Sequence, residues 1–273
     1  MLNKITPLIL TYNEAPNIGR ALERLGWAQD IVVVDSFSDD ETLEIASSFP
    51  NVRIFQREFD CHRNQWEFGL RETGITTAWV LALDADYVIT NEALAELQTL
   101  RPNEATAGYR ARFAYRIHGR RLHSGIYPPV TVLYRRAAAA YVQDGHTQRV
   151  VIDGRVEDLR ASLEHDDRKS LRRWLNSQAR YAELEGERIN KHEALDFKDR
   201  LRLCLVVVPP AIFFYCLVIR GGIFDGRPGL YYAFQRALAE FMLSLYLIDS
   251  RCTSSASTRI TAMLQRQSSK TAD

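Results

Sequence analysis

The feature that most constrains the fold of this chain is a short apolar run that ends in two carboxylates. The run begins at Trp79, and Asp84 and Asp86 follow it with one alanine between them. A short apolar stretch bounded by polar residues predicts a strand buried on both faces of a sheet. Because alternate residues of a strand point the same way, the two carboxylates would lie roughly 6.6 Å apart at about 3.3 Å per residue.

Two carboxylates at the mouth of a buried strand repel each other and lose solvation unless a cation compensates them. Mg²⁺ prefers one or two carboxylates together with substrate phosphates, so the pair indicates a site for a metal-bound phosphate compound. An ordinary surface turn, in which Asp is common, is the alternative.

Strand-like and helix-like segments alternate through the first hundred residues. The predicted strands are Pro7–Thr11, Ile31–Asp35, Val52–Phe55 and the segment that ends at Asp84. The predicted helices follow Pro16, a capping box formed by Ser38 and Glu41, and two further starts at Asn64 and Asn91. This alternation predicts βαβ units and a mostly parallel sheet with flanking helices.

Polar residues follow three of these strands at the edge where parallel α/β sheets bind ligands. Asn13 and Glu14 follow the first strand, Asp35 ends the second, and the Asp84–Asp86 pair ends the fourth. No glycine-rich phosphate loop occurs, so bound phosphates would need a cation instead. The sequence therefore predicts a polar ligand with a metal at this edge.

The net charge of +1 hides an uneven distribution. Residues 101–136 hold eight arginines against a single acid, Glu104, in predicted strands with a turn at His118–Arg120. A solvated face is the common fate of such a run, whereas an arginine cluster also suits recognition of phosphate or carboxylate on an acceptor. Arg120 and Arg121 are the candidates for that role. Nucleic acid is disfavoured because no nucleic-acid motif accompanies the arginines.

The carboxyl-terminal third is predicted to be helical. Ser170–Asn190 has the spacing of a long amphipathic helix, and Leu201–Ile219 is apolar but contains Arg202 and a Pro-Pro pair. Together with an amphipathic segment at 229–248, it predicts two helices at a membrane interface, with a true span and a buried soluble hairpin as alternatives. The tail from Ser250 is predicted to be flexible.

Localisation is predicted from two further features. The four cysteines have no metal-type spacing, which fits reduced thiols in the cytosol, and the first residues hold too brief an apolar run for a signal peptide. We therefore expect a cytoplasmic protein that is peripheral on the inner face of the cytoplasmic membrane.

Four motifs, in order and spacing, resemble the nucleotide-binding half of family 2 inverting glycosyltransferases with the GT-A fold. They are TYNEAPNIGRAL, VVVDSFSDDE, HRNQWEFGL and LALDADYVI, and the tract YRIHGRRLHSGIYPPVTVLYRR resembles bacterial lipopolysaccharide-core transferases of that family. The resemblance implies a nucleotide-sugar donor, an Mg²⁺ or Mn²⁺ cofactor, and a glycolipid or lipopolysaccharide-core acceptor, with polyprenyl phosphate as a second possible acceptor. The residues it implies are Thr11, Asn13, Glu14, Asp35 and Arg63 for the donor, Asp84 for donor and metal, and Asp86 and His165 for the metal.

The resemblance also implies a proton acceptor in the segment after the acceptor-binding strands, where Asp144 and His146 are the candidates. We expect a donor-binding half at 1–100, an acceptor and catalytic half at 101–170, helices at 171–250 and a flexible tail at 251–273. Two alternatives remain: a phosphatase of the haloacid-dehalogenase type, whose nucleophile loop DADYV also matches, and a non-catalytic nucleotide-sugar-binding module.

Overall fold

The computed structural model describes the backbone of residues 1–144, 147–190 and 197–270, and the side chains of residues 1–142, 149–190 and 199–253. The strands are β1 Ile5–Thr11, β2 Ile31–Asp35, β3 Val52–Gln56, β4 Trp79–Asp84, β5 Tyr87–Val88, β6 Thr106–Ile117, β7 Arg120–Arg121, β8 Val130–Arg135, β9 Ala139–Asp144, β10 Thr147–Ile152 and β11 Arg155–His165. The helices are α1 Ile18–Glu23, α2 Thr42–Ser47, α3 His62–Arg71, α4 Asn91–Thr99, α5 Leu171–Asn190, α6 Phe197–Arg202, α7 Val208–Phe214 and α8 Arg227–Lys270.

The main sheet has the strand order β3-β2-β1-β4-β8-β6-β11-β5. Strands β3, β2, β1 and β4 are mutually parallel, β8 is antiparallel to both of its neighbours, and β6 is parallel to β11. Strand β7 pairs with β6, while β9 and β10 form a separate hairpin. The predicted mostly parallel α/β sheet is therefore confirmed, with β8 and β5 as its antiparallel members.

The central strands are buried because they carry almost continuous apolar sequence between two layers of helices. In β2 every residue is buried, and in β4 only Asp84 is partly exposed. On one face Ile9 and Leu83 pack with α1 and α4, while on the other Leu8 and Val34 pack with α3. These two cores fix the carboxyl ends of the strands, where the polar residues lie.

The predicted capping box at Ser38 and Glu41 is wrong. Helix α2 begins at Thr42, and its N-cap Glu41 makes no side-chain cap hydrogen bond. The Ser38 hydroxyl instead donates to Asp35 and accepts a hydrogen bond from the backbone of Asn13. In a capping box the serine hydroxyl accepts an N–H group of the first helical turn, whereas here it accepts the Asn13 backbone N–H and donates its own proton to the buried Asp35 carboxylate.

The carboxyl-terminal helices form a layer against the β6 end of the sheet. Helix α5 has the predicted extent, but the segment 201–219 is divided into the end of α6, a turn, α7 and a π-helical turn at Tyr215–Ile219. Pro209 and Pro210 start α7, where their missing backbone N–H groups cost no helical hydrogen bond. Within the described residues, no helix combines the length and the apolarity that crossing a bilayer requires.

Helix α8 continues through Lys270, so the tail that we predicted to be flexible from Ser250 is helical in backbone as far as that residue. The sequence carries the reason, since Ile260, Met263 and Leu264 recur at helical spacing.

Candidate active site

The Asp84–Asp86 pair meets His165 at one point of the sheet edge. Asp84 ends β4, and a tight turn through Asp86 leads into β5, whose Tyr87 lies in register with His165 at the end of β11. The His165 Nε2 atom lies 3.2 Å from Asp86 Oδ2, and the Asp166 backbone N–H donates to the Asp86 carbonyl over 3.0 Å. The pairing of β5 with β11 therefore brings together the three residues that the sequence assigned to a metal.

The electrostatics of these residues reflect buried negative charge. Burial and the neighbouring Asp86 carboxylate raise the pKa of Asp84 to about 6. Burial alone would raise the pKa of Asp86 as well, but the charge of His165 and its hydrogen bond lower it. Burial opposes the charged form of His165, yet the two facing carboxylates leave its pKa raised. His165 thus compensates the charge of Asp86, whereas the charge of Asp84 is not fully compensated.

Lys169 supplies part of that charge, and sequence reasoning missed it. Its Nζ lies 2.7 Å from Glu14 Oε1 and 3.8 Å from Asp167 Oδ1. Burial raises the pKa of Glu14 to about 7, against the opposing effect of Lys169. Lys169 follows the last strand of the sheet at the ligand-binding edge, which is the signal that could have found it.

The segment that carries Lys169 is held against the start of α1. The Arg20 guanidinium pairs with Asp166 over 2.6 Å, and the Asn17 amide donates to Asp167 over 2.9 Å. The Arg168 backbone N–H donates to Asn17 Oδ1. These contacts, across some 150 residues of sequence, place an ammonium group between Glu14 and the metal candidates.

The donor set fits a divalent metal ion. Among the described residues, buried Asp86 Oδ1 and His165 Nδ1 have no hydrogen-bond partner, which is rare for buried polar atoms unless an ion or a bound molecule satisfies them. Carboxylate oxygens are the ligands that Mg²⁺ prefers, and imidazole nitrogen also suits transition metals. Among the described side chains, however, no three His, Cys, Asp or Glu residues already surround one cation position.

The predicted donor residues form a second cluster at the ends of β1 and β2. Asp35 is fully buried and accepts hydrogen bonds from Thr11, Ser38 and Gln56. Asn13 has a positive φ of 55° and is joined to the same cluster through Ser38. Because both carboxylate oxygens of Asp35 are engaged within the protein, Asp35 supports Thr11 and Ser38 in this structure.

Three further predicted residues lie apart from the carboxylates. Arg63, near the start of α3, donates to the Tyr141 carbonyl over 3.1 Å. Arg120 and Arg121 are exposed on β7, and the structure does not bring them to the Asp84–Asp86 pair. For the candidate bases, His146 lies outside the described residues, and Asp144 is described only by its backbone at the end of β9. Their catalytic assignment stays a prediction.

A cavity of about 470 Å³ opens beside the carboxylates. Asp84, Asp86, His165 and Lys169 line one end, and side chains of α5 and α8 line the other. Tyr127 also lines the cavity, and its hydroxyl lies 2.6 Å from the hydroxyl of buried Tyr87. The cavity is large enough for a small-molecule substrate, since ligand pockets span about 300–1,000 Å³.

A mostly parallel α/β sheet with this cavity and an Asp-Ala-Asp segment at the carboxyl ends of its strands defines the GT-A fold. The model of the family described as Glycosyl transferase family 2 matches residues 8–140 of the chain. The resemblance carried by the four sequence motifs is thereby confirmed. The haloacid-dehalogenase alternative has no support from this match.

Individual relatives extend the comparison. An uncharacterized glycosyltransferase of Rickettsia bellii is 32% identical over 99 residues, which are 36% of this chain and 33% of that protein. The chain thus spans a third of the length of that relative. The lipopolysaccharide core biosynthesis glycosyltransferase LpsC of Rhizobium meliloti is 26% identical over 257 residues, 87% of this chain and 89% of LpsC. Among solved structures, S. aureus TarS 1-349 in complex with UDP-GlcNAc aligns over 92% of each chain at 15% identity, with a TM-score of 0.48.

Proposed function

We propose that the protein is a metal-dependent inverting glycosyltransferase that moves a sugar from a UDP-linked donor to a lipopolysaccharide-core or other glycolipid acceptor. The observation that carries the proposal is the meeting of Asp84, Asp86 and His165 at the mouth of a cavity, at the strand ends of a family 2 fold. The similarity to LpsC along most of both chains supports the acceptor class.

The donor would lie along the ends of β1, β2 and β4. Thr11 and Asn13, with Asp35 behind them, would form the wall for the base and ribose, and Arg63 would face the base and diphosphate from α3. Glu14, held by Lys169 and Asn17, would border the ribose. Lys169 would move from Glu14 toward the diphosphate. A diphosphate carries more negative charge at neutral pH than a carboxyl group whose pKa is about 7.

Asp84, Asp86 and His165 would hold Mg²⁺ or Mn²⁺, which supplies charge neutralisation for the leaving diphosphate. Asp86 is the more direct ligand in this proposal, because one of its oxygens already lacks a partner. The acceptor hydroxyl would attack the anomeric carbon as the bond to the diphosphate breaks. Asp144 or His146 would take the hydroxyl proton.

The test compares Asp86→Asn with Asp30→Asn, which makes the same change beyond the opposite end of the sheet. Asp30 precedes β2 and pairs with Arg53, so its loss leaves the cavity intact. We expect Asp86→Asn to weaken UDP binding in the presence of Mn²⁺ by at least tenfold in calorimetry, and Asp30→Asn to leave it unchanged. Equal affinity for wild type and Asp86→Asn would refute the metal assignment. Donor binding by the wild type without transfer to any lipopolysaccharide-derived acceptor would favour the non-catalytic module.

We also propose that the protein docks on the inner face of the cytoplasmic membrane through the surface around α7. The exposed apolar side chains there include Val206 at 77%, Ile219 at 73% and Phe224 at 90% exposure. Arg220 and Arg227 flank this surface and are themselves exposed. Exposed apolar groups beside basic residues suit the interface of a bilayer with anionic lipids.

The membrane proposal is tested by sedimentation with phosphatidylglycerol vesicles. Changing Ile219 and Phe224 together to Asp should release the protein into the supernatant, because two charged groups would then have to enter the interface. Val151→Asp is the matched control, since Val151 is 44% exposed on β10, outside this surface. Wild-type protein that stays in the supernatant at low salt would contradict the proposal.

A further inference from the structure

The cavity extends beyond the carboxylates into the helical layer. Its far end is lined by side chains of β6, α5, α6 and α8. They include arginines and the carboxylates Glu185 and Glu240, and aromatic and amide groups lie around one of the arginines, Arg236. This group consists of Tyr115, Trp174, Gln178, Tyr232, Gln235 and Arg236. Aromatic faces and amides are typical linings of a site for a sugar, in which a few polar groups fix the orientation.

Arg236 is the unusual member of this set. Its Nε is buried and has no hydrogen-bond partner, and within the described residues the guanidinium forms no ion pair. Two other arginines of the helical layer are different, because Arg188 pairs with Glu185 and Asp199, and Arg202 pairs with Glu240. A partly buried guanidinium without a carboxylate is costly, and an arriving anion would offset that cost.

The position of Arg236 is linked to the carboxylates through two aromatic rings. The Tyr115 ring lies 4.6 Å from the His165 ring and 5.0 Å from the Tyr232 ring, measured between centroids. The charges of Asp86 and Arg236 both act on the Tyr115 hydroxyl. Tyr115 therefore stands between the metal candidates and Arg236, and a molecule in the cavity can reach both.

The sheet order separates Arg236 from the donor residues. The Thr11–Asp35 cluster lies on β1 and β2, to one side of β4, whereas Tyr115 lies on β6, to the other side. An anion at Arg236 would thus lie across the carboxylates from the base and ribose, on the side left for the acceptor.

We infer that Arg236 binds an anionic substituent, a phosphate or a carboxylate, of the saccharide acceptor, with the sugar between Trp174 and Tyr232. This inference rests on the proposed function, because it takes the same cavity to be the transfer site. It makes negative charge on the acceptor a determinant of specificity. The planar guanidinium suits both groups, since it offers two parallel N–H donors to either.

The experiment measures the binding of glucose 6-phosphate, glucuronate and glucose to the full chain by saturation-transfer NMR, with UDP and the diamagnetic ion Mg²⁺ present. We expect the wild type to bind at least one anionic sugar at least tenfold more tightly than glucose. Arg236→Gln should abolish that preference, and Arg236→Lys should restore part of it. Arg172→Gln, at an exposed position of α5, is the control and should change nothing. Whichever of glucose 6-phosphate and glucuronate binds more tightly shows whether Arg236 prefers a phosphate or a carboxylate.

Calorimetry with UDP and Mn²⁺ on the same proteins separates the two proposals. If the wild type fails to bind UDP, the proposed function falls. If UDP binds and no sugar shows an anionic preference, this inference alone is overturned. A loss of UDP affinity in Arg236→Gln would overturn it too, because Arg236 would then serve the donor. Should Arg236→Gln fail to fold, Ala239→Glu places a competing carboxylate three residues from Arg236 on the cavity side of the same helix. An unchanged preference in that variant also refutes the inference.

Discussion

The sheet half, residues 1–165, buries most of its large apolar side chains, whereas the helical layer, residues 171–253, exposes many. Of the large apolar side chains described in the sheet half, only Tyr12, Phe37, Val151 and Val156 are exposed. Between residues 199 and 253 the helical layer exposes fifteen large apolar side chains. They are Leu201, Val206, Val207, Phe214, Tyr215, Val218, Ile219, Ile223, Phe224, Leu230, Phe234, Leu238, Phe241, Leu245 and Ile248. The sheet half is thus stabilised by burial of its apolar sequence, whereas the helical layer leaves much of its apolar surface in solvent.

Charged contacts hold the helical layer together. Arg188 pairs with Glu185 and Asp199, at 2.8 Å and 2.7 Å, and Arg202 pairs with Glu185 and Glu240, at 3.0 Å and 3.2 Å. This cluster joins α5, α6 and α8. Buried ion pairs contribute little net stability, but removal of one member leaves the others unpaired and is costly. The two halves should therefore respond differently to removal of a paired carboxylate and to an added methyl group at a packing contact.

Asp199→Ala should give the largest effect in this comparison, because the Asp199 side chain is 4% exposed. Its removal breaks the 2.7 Å contact with Arg188, which then keeps only Glu185. That remaining pair and the partial exposure of both arginines reduce the loss. We expect a fall of about 2–3 kcal/mol in the free energy of unfolding, measured by urea denaturation.

Asp158→Ala is the matched control for Asp199→Ala. Asp158 pairs with Arg110 over 2.7 Å, but both side chains are largely exposed on the sheet half, so we expect little change in Tm. Equal losses in the two variants would contradict the contrast between the halves.

Gly186→Ala should have the next largest effect, because an added Cβ would lie 2.2 Å from the ring of Tyr246 where α5 meets α8. Crowding a rigid ring costs more than the helix propensity that alanine gains, so we expect a net loss of about 1–2 kcal/mol. Gly69→Ala is the counterpart in the sheet half.

In Gly69→Ala the nearest atom is the Leu8 Cδ1 methyl at 2.8 Å, the end of a side chain that can rotate away. We therefore expect a smaller loss than for Gly186→Ala when the two Tm values are compared in one buffer. The reverse order would mean that the α5–α8 contact adapts more readily than the sheet core.

The sequence predicted the sheet half well because periodicity and burial agree there. The strands β1, β2 and β4 occur where apolar runs predict them, and Asp84 and Asp86 lie at the predicted edge. Ser38 shows where local patterns fail, since its hydroxyl binds Asp35 of the preceding strand instead of capping α2. Local sequence does not show whether the Ser38 hydroxyl binds Asp35 or the first turn of α2, because that depends on how the strand end folds back.

The rest of the site depends on contacts between distant residues, which periodicity cannot show. Lys169 reaches Glu14 across 155 positions, and Arg202, which interrupts an apolar segment in the sequence, pairs with Glu240 on another helix. The apolar segment 201–219 is predicted as the first of two interfacial helices, with 229–248 as the second, but its prolines and a π-helical turn divide it. Hydropathy alone did not distinguish a continuous helix from these short pieces.

Asp225→Asn probes the junction where the two halves meet, and we expect a smaller effect from it than from Asp199→Ala or Gly186→Ala. Asp225 precedes α8, and its carboxylate accepts hydrogen bonds from the Ser124 hydroxyl at 2.7 Å and from the backbone N–H groups of Ser124 and His123. Burial alone would raise the pKa of Asp225, but these hydrogen bonds outweigh it and the net pKa is lowered. The carboxylate form therefore ties the helical layer to the sheet half.

A lowered pKa contributes stability that is present above the ordinary Asp value of about 3.9 and is lost as the pH falls through the folded-state value. Asparagine keeps the shape but loses the charge, so we expect a cost of about 1 kcal/mol at pH 7. The Tm difference between wild type and Asp225→Asn should then narrow as the pH falls below about 4. A difference that is constant from pH 7 to pH 3 would show that the amide is simply a poorer fit, and that the charge of Asp225 contributes nothing to the junction.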